Sequence, residues 1–227
     1  MFLSRVTLAP HADVQQVARQ ACRDAYREHQ FLWRLFESDP NAERDFLFRR
    51  DRVAQRPRFY LLSRRRPTPI DGLWLTESKP FEPRLHAGQR LAFSLRANAV
   101  VTRRDEKGRQ VRHDVVMDLW RKRGDAAASG DAQPSLSALA GEAGGAWLRQ
   151  RAAKHGFSLS PDSLSVEAYQ QHRIHKRGGK QPIRYSTLDF SGLLTIEDVE
   201  HFRQVLMQGI GPAKAFGCGL LLVRRAY

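Results

Sequence analysis

Apolar and polar side chains alternate from Phe2 to Leu8, the period of a half-buried strand. The period then lengthens. Val14, Val17, Ala18, Ala21, Cys22, Ala25, Leu32, Trp33 and Phe36 recur at helical spacing. This predicts one long amphipathic helix over 13–37, with Asp13 as N-cap and Ser38-Asp39-Pro40-Asn41 as its end. Strands are predicted at 59–63, 90–97 and 111–117, with an irregular stretch between the first two at Pro67, Pro69, Gly72, Pro80 and Pro83. Residues 123–146, rich in Gly, Ala and Ser, read as a flexible connection. A helix over 143–154 with Trp147 and Leu148 inward, strands at 165–170 and 183–196, and a helix over 198–208 follow. A glycine-rich turn then leads into a last strand. Strand–helix–strand order occurs twice, so the expected fold class is α+β: two sandwiches, each a helix-backed, largely antiparallel sheet. The expected division is residues 1–97 and 98–227.

Charge narrows the class of partner. The 227 residues carry a net charge of +14, and the excess is grouped rather than spread. Eight arginines lie between Arg49 and Arg66 against one acid, Asp51. Arg173, Lys176, Arg177, Lys180 and Arg184 lie between Tyr169 and Thr187 with no acid among them. Segregated cations of this kind mark a phosphate-binding surface, because each one that neutralises a phosphate releases condensed counterions. No apolar run approaches the ~18–20 residues of a membrane span. Cys22 and Cys218 make neither a disulfide framework nor a zinc site. A soluble, reduced, cytoplasmic nucleic-acid binder is the expectation.

His29 is the sharpest candidate for chemistry. At ~100° per residue it falls between Ala25 and Trp33 within the apolar stripe, with Tyr26 about 60° away on the same flank. Two readings fit that position: a core histidine satisfied by backbone partners, or a partly desolvated general acid or base beside a phenol. His172 and His175 form H-x-x-H, but the ligand count is too low for zinc, so they read as polar groups on an RNA-facing loop. The sequence shows no Asp/Glu cluster of the kind that holds two magnesium ions. Phosphodiester cleavage would then be metal-independent and require RNA, whose 2′-hydroxyl is its own nucleophile. The loop Lys176-Arg177-Gly178-Gly179-Lys180 is suited to bring an ammonium to a phosphate or to be a solvated hairpin tip. Gly209-Ile210-Gly211-Pro212-Ala213-Lys214 lacks the order of a P-loop; its N–H groups suit phosphate contact, its glycines equally a packed turn.

The chain resembles the CasE family of CRISPR precursor-RNA endoribonucleases, the RNA-processing subunits of type I-E Cascade complexes. The resemblance runs through Met1-Phe2-Leu3-Ser4-Arg5-Val6, Tyr26 to Phe36, Arg44-Asp45-Phe46-Leu47-Phe48, Phe93 to Asn98, Leu188 to Ile196, and Gly209 to Leu221. It implies two tandem ferredoxin-like (RRM-like) domains. It also implies binding of CRISPR repeat stem-loops and metal-independent cleavage at the 3′ base of the stem, leaving a 2′,3′-cyclic phosphate. The product stays bound among the other Cascade subunits, and no cofactor is needed. His29 matches the family's catalytic histidine and Tyr26 its assisting tyrosine; the supporting lysine falls in the variable basic loop, at Lys176 first and Lys180 second. Arg173, Arg177, Lys180, Arg184, Gly209, Gly211 and Lys214 are the expected RNA contacts. The competing expectation is a non-catalytic RNA-binding subunit of a ribonucleoprotein.

Overall fold

A computed structural model of the chain describes residues 1–13, 15, 17, 24–36, 44–53, 56–70, 74–126, 134–175 and 181–226. The chain forms two compact units. The first comprises Met1–Arg84, Ile174–Ile183 and Ala213–Leu220; the second comprises Leu85–Arg173, Arg184–Pro212 and Leu221–Tyr227.

In the first unit, β1 (Phe2–Leu8), β2 (Phe46–Val53), β3 (Arg56–Ser63) and β4 (Trp74–Pro80) form an antiparallel-paired sheet in the order β2-β3-β1-β4. Helix α1 (Ala25–Trp33) supplies Phe31 and Leu32 to a core with Val6, Phe48, Phe59, Leu61 and Trp74. The alternation that marked β1 places Ser4, Val6 and Leu8 inward. The helix is fastened to β2 by a second means: Glu28, 5% exposed, is ion-paired with Arg50.

The second unit carries β5 (Arg90–Ala97), β8 (Phe157–Leu159), β10 (Ile183–Ile196) and β11 (Leu221–Arg225) in the order β11-β5-β10-β8, with β9 (Ser165–Ile174) also pairing β10. Between β5 and β8 lie the hairpin β6 (Val100–Arg104) and β7 (Gln110–Asp114), then helices α2 (Val115–Ala126) and α3 (Leu136–Lys154). Helix α4 (Val199–Gln208) precedes β11. Alternate residues Leu91, Phe93, Leu95 and Ala97 meet Trp147 and Leu148 of α3 and Phe202, Val205 and Leu206 of α4 in one core. Counting the four principal strands in chain order, both sheets run 4-1-3-2 from one edge, the arrangement of a ferredoxin-like fold.

Several expectations are corrected. The single helix over 13–37 is interrupted. Gln15 and Val17 are helical, with Asp13 Oδ1 accepting from Gln15 N, but Asp24 is extended and caps a new helix by accepting from Arg27 N. An aspartate offers the backbone such a local bond and so starts helices more readily than it continues them. The stretch read as irregular contains β4, whose Trp74 is buried. The strand predicted at 111–117 stops at Asp114, whose Oδ1 accepts from Val116 N and Met117 N and opens α2. The segment 123–146 read as flexible is helical at 123–126 and 136–146; residues 127–133 lie outside the described ones. The helix expected from 143 starts at Leu136, with Ser135 as its cap. Strands β2, β6 and β8 were not expected. The division after residue 97 moves ahead of β5, because β5 pairs with β10 and β11.

Removing Glu28 leaves a guanidinium against the core without its carboxylate, a change that costs about 3 kcal/mol when little water reaches the pair. Glu28→Ala is expected to lower the denaturation midpoint clearly, and Glu28→Gln less. Equal stability of wild type and Glu28→Ala in urea titration would contradict this.

Candidate active site

His29 lies on α1 one turn before Trp33 and faces the start of β2. Its half-buried ring packs nearly parallel to Phe48 (centroids 6.3 Å apart, 19° between planes) and tilted on Phe46 (5.8 Å). Trp33 meets it edge-on at 6.2 Å and donates its indole N–H to His29 Nε2 at 3.2 Å. An indole nitrogen only donates, so Nε2 is the acceptor and the neutral ring carries its proton on Nδ1. Of the two readings left open by the sequence, the backbone-satisfied core histidine does not describe this ring: its polar partner is a side chain, and the ring is not sealed.

The local sequence explains the arrangement. Positions 46 and 48 alternate on β2 and so present both phenyl rings to one side, while the i, i+4 spacing of His29 and Trp33 stacks them on one helix face. Trp33 is fixed in turn by the guanidinium of Arg65, 6.0 Å from its ring and 5.0 Å from that of Phe36. Arg65 is held by Asp45 through Nε–Oδ2 (2.9 Å) and Nη2–Oδ1 (3.0 Å) bonds, which keep that carboxyl below its usual range.

One cation, Arg44, acts directly on the imidazole. The ring's pKa is lowered from 6.5, first by burial and then by the charge of Arg44. Lys214 sits in a 3₁₀ turn, Lys214–Phe216, that packs against α1 and β2. Its pKa is also lowered, first by burial and then by Arg44, and Arg44 itself is lowered by burial. The turn comes close because Gly217 (φ 78°) follows it. A Cβ there would sit 3.2 Å from the ring of Phe48, the same ring that supports His29.

Tyr26 is half-buried one turn before His29, and no hydrogen bond joins them. Lys176, Arg177 and Lys180 lie outside the described residues, so the loop lysines expected near His29 are among those of which no position is given. Arg173 and Arg184 are exposed, near the end of β9 and the start of β10. Gly209 ends α4 with φ 76°, and its N–H bonds Val205 O. Gly211 (φ 79°) lies against Trp147, where a Cβ would be 3.3 Å from the indole. In the second unit, then, Gly209 caps a helix and Gly211 has a packing role. His172 stacks on Tyr185 (4.6 Å, 13°) and bonds Thr187 Oγ1, whereas His175 is exposed; the H-x-x-H spacing does not make a pair.

Comparison with known proteins decides the family. The sequence profile described as CRISPR associated protein matches residues 1–225. The CRISPR system Cascade subunit CasE of Escherichia coli K12 is 31% identical over 237 aligned positions, covering 97% of this chain and 98% of that one.

The chain belongs to the CasE family of CRISPR-associated proteins.

The CRISPR-associated endoribonuclease Cse3 of Thermus thermophilus is 30% identical over 153 positions, 64% of this chain and 60% of its own. Among solved structures, Cas6e from E. coli K-12 superposes over the full length of both chains with a TM-score of 0.66 and 27% identity. Cse3 bound to a 19-nucleotide RNA gives a TM-score of 0.70 over 99% of this chain and 100% of that one, at 23% identity, a likeness of fold. No described helix is long and apolar enough to cross a membrane.

The sequence reading placed Trp33 beside His29 but missed Arg44, Phe46 and Phe48 as its neighbours. The available signal was the alternate spacing of Arg44, Phe46 and Phe48, which places three residues of related parity ahead of and along one strand.

Followed by NMR, the His29 imidazole of the free protein should titrate below 6.5. Arg44→Gln should raise the midpoint without restoring it fully, since burial is the larger cause. The sign follows from linkage: a ring whose folded pKa is depressed stabilises the fold above 6.5, and that contribution is lost as pH falls through the window beneath it. A midpoint unmoved by Arg44→Gln would show that Arg44 does not act on the ring.

Proposed function

We propose that this chain is the endoribonuclease that matures CRISPR RNA in a Cascade assembly. On this reading it binds the stem-loop of each repeat, cuts at the 3′ base of the stem, leaves a 2′,3′-cyclic phosphate, and stays bound beside the other Cascade subunits in the cytoplasm. The observation that carries the reading is the half-buried imidazole of His29, supported on aromatic rings with the charge of Arg44 acting on it, in a protein whose charge is suited to RNA. Two relatives support it by name: one is a Cascade subunit, the other an endoribonuclease.

The chemistry needs no metal on this account. The ribose 2′-hydroxyl is the nucleophile, and the protein has only to move protons and offset charge. Tyr26 and His29 flank the scissile phosphodiester, Tyr26 helping to remove the 2′-hydroxyl proton and His29 protonating the leaving 5′-oxygen. Burial and Arg44 make the imidazolium a stronger acid than it is in water. It forms when the phosphate brings its negative charge, and it releases its proton readily once the 5′-oxygen accumulates charge. Lys176, or Lys180 in its place, supplies further positive charge from the basic loop. Arg173, Arg177, Arg184, Lys214 and the glycine turn from Gly209 to Gly211 hold the hairpin by phosphate and by A-form shape, the Gly209 N–H itself being spent on Val205 O.

With a repeat hairpin in excess chelator, the wild-type protein should cleave, and a 2′-deoxy substitution 5′ to the cut should abolish cleavage. His29→Ala should bind nearly as well yet cut about 10²–10⁴-fold more slowly, the usual worth of general acid–base catalysis. Binding without any cleavage by the wild type would make the chain an RNA-binding subunit instead, and cleavage unchanged in His29→Ala would remove that residue from the mechanism.

A further inference from the structure

Cations near the active site sort into two sets. In the first unit Arg65 is committed to Asp45 and Arg50 to Glu28, so these two described carboxylates are already engaged. Arg44 and Lys214 differ. Among the described residues neither has an ion pair, although burial depresses the charged form of each and Arg44 further opposes the charge of Lys214. Two like charges partly removed from water beside a third titratable group cost free energy in the unliganded protein. An arrangement of that kind is stabilised when an anion arrives.

The geometry is built rather than incidental. Arg44 stands two residues before Phe46, on which His29 lies, and Lys214 stands three before Gly217, which is packed on Phe48. Ala213 (φ 58°) and Gly217 (φ 78°) bracket the short turn in left-handed conformations, so the backbone is bent on both sides to bring Lys214–Phe216 against α1 and β2. Residues distant in the sequence are thus delivered to one neighbourhood: the Lys214 turn packs on the helix and strand that carry His29, Phe46 and Phe48, and the charge of Arg44 acts on both His29 and Lys214.

We propose that Arg44 and Lys214 form the seat for the two non-bridging oxygens of the scissile phosphodiester, with Arg44 as the principal charge-stabilising residue. This rests on the endoribonuclease reading and transfers to Arg44 and Lys214 the role that the family resemblance gives to a loop lysine. The step balances without a further reactant. The 2′-oxygen–phosphorus bond forms as the phosphorus–5′-oxygen bond breaks, one proton leaves the 2′-hydroxyl and one reaches the 5′-oxygen, and nothing is oxidised or reduced. What changes is the charge on the non-bridging oxygens, which rises from one negative charge toward two in the pentacoordinate state. A forked guanidinium donates to both oxygens at once, and an ammonium adds a point charge. Because the seat is already placed and partly dry, its attraction grows with that charge rather than being spent on reorganisation.

The test is single-turnover cleavage of a repeat hairpin in chelator, at RNA concentrations that saturate each variant, with the binding constant measured separately. Arg44→Ala and Lys214→Ala should each slow the saturated rate, Arg44→Ala by on the order of 10²-fold, the loss typical of one preorganised donor. Binding should weaken far less. Arg44→Lys should recover part of the rate, and it also serves where Arg44→Ala folds poorly. Hairpins with one non-bridging oxygen of the scissile phosphate replaced by sulfur should be cut unequally according to which oxygen is replaced, and Arg44→Ala should reduce that inequality. Saturated rates equal to wild type in both alanine variants, or a sulfur effect of unchanged size and hand in Arg44→Ala, would overturn the assignment while leaving the endoribonuclease reading intact. A wild-type protein that binds the hairpin and never cuts it would overturn both.

Discussion

The packing of the His29 ring against Phe46 and Phe48 is the contact on which the site depends. Aromatic packing fixes the plane of an imidazole without using its nitrogens, so the ring is oriented and still has chemistry to spare. The Trp33 bond then selects the tautomer. A histidine tethered by a carboxylate would be similarly oriented, but its imidazolium would be stabilised and its acidity reduced. Here burial and the charge of Arg44 together disfavour the charged ring.

That choice shapes the surrounding electrostatics. Asp45 and Glu28 lie close in sequence to the site yet are engaged by Arg65 and Arg50, which removes them as partners for the imidazole or for Arg44. The same two ion pairs serve the fold: one ties α1 to β2, and the other keeps Arg65 over Trp33 and Phe36. Local structure and site chemistry are therefore coupled through a few side chains. The stability of α1 on its sheet and the electropositive character of the site rise or fall together.

Much of the fold was legible because its signals are periodic. Alternation in β1, β5 and β10 and helical spacing in α4 follow directly from which faces are buried. The readings that failed did so for identifiable reasons. A side chain at Asp24 captured a backbone N–H and divided a helix whose apolar spacing continued across it. Prolines around β4 concealed a strand that lies beside β1 with Trp74 inward. Small residues from Gly141 to Gly145 suggested flexibility, whereas they let α3 approach the sheet so closely that a Cβ on Gly144 would meet Val166 and Leu188 within 3 Å.

By itself the sequence determined a basic α+β protein with two helix-backed sheets, a polyanionic partner, and a helix carrying Tyr26 and His29 three residues apart. Those properties depend on composition and on spacing within one element. Tertiary structure alone decided that β5 joins the second sheet, that His29 leans on phenyl rings, and that Arg44 and Lys214 share its surroundings. Burial and the loss of water change what an ionisable group does, and both are set by which distant segments pack together, a quantity that local periodicity does not contain.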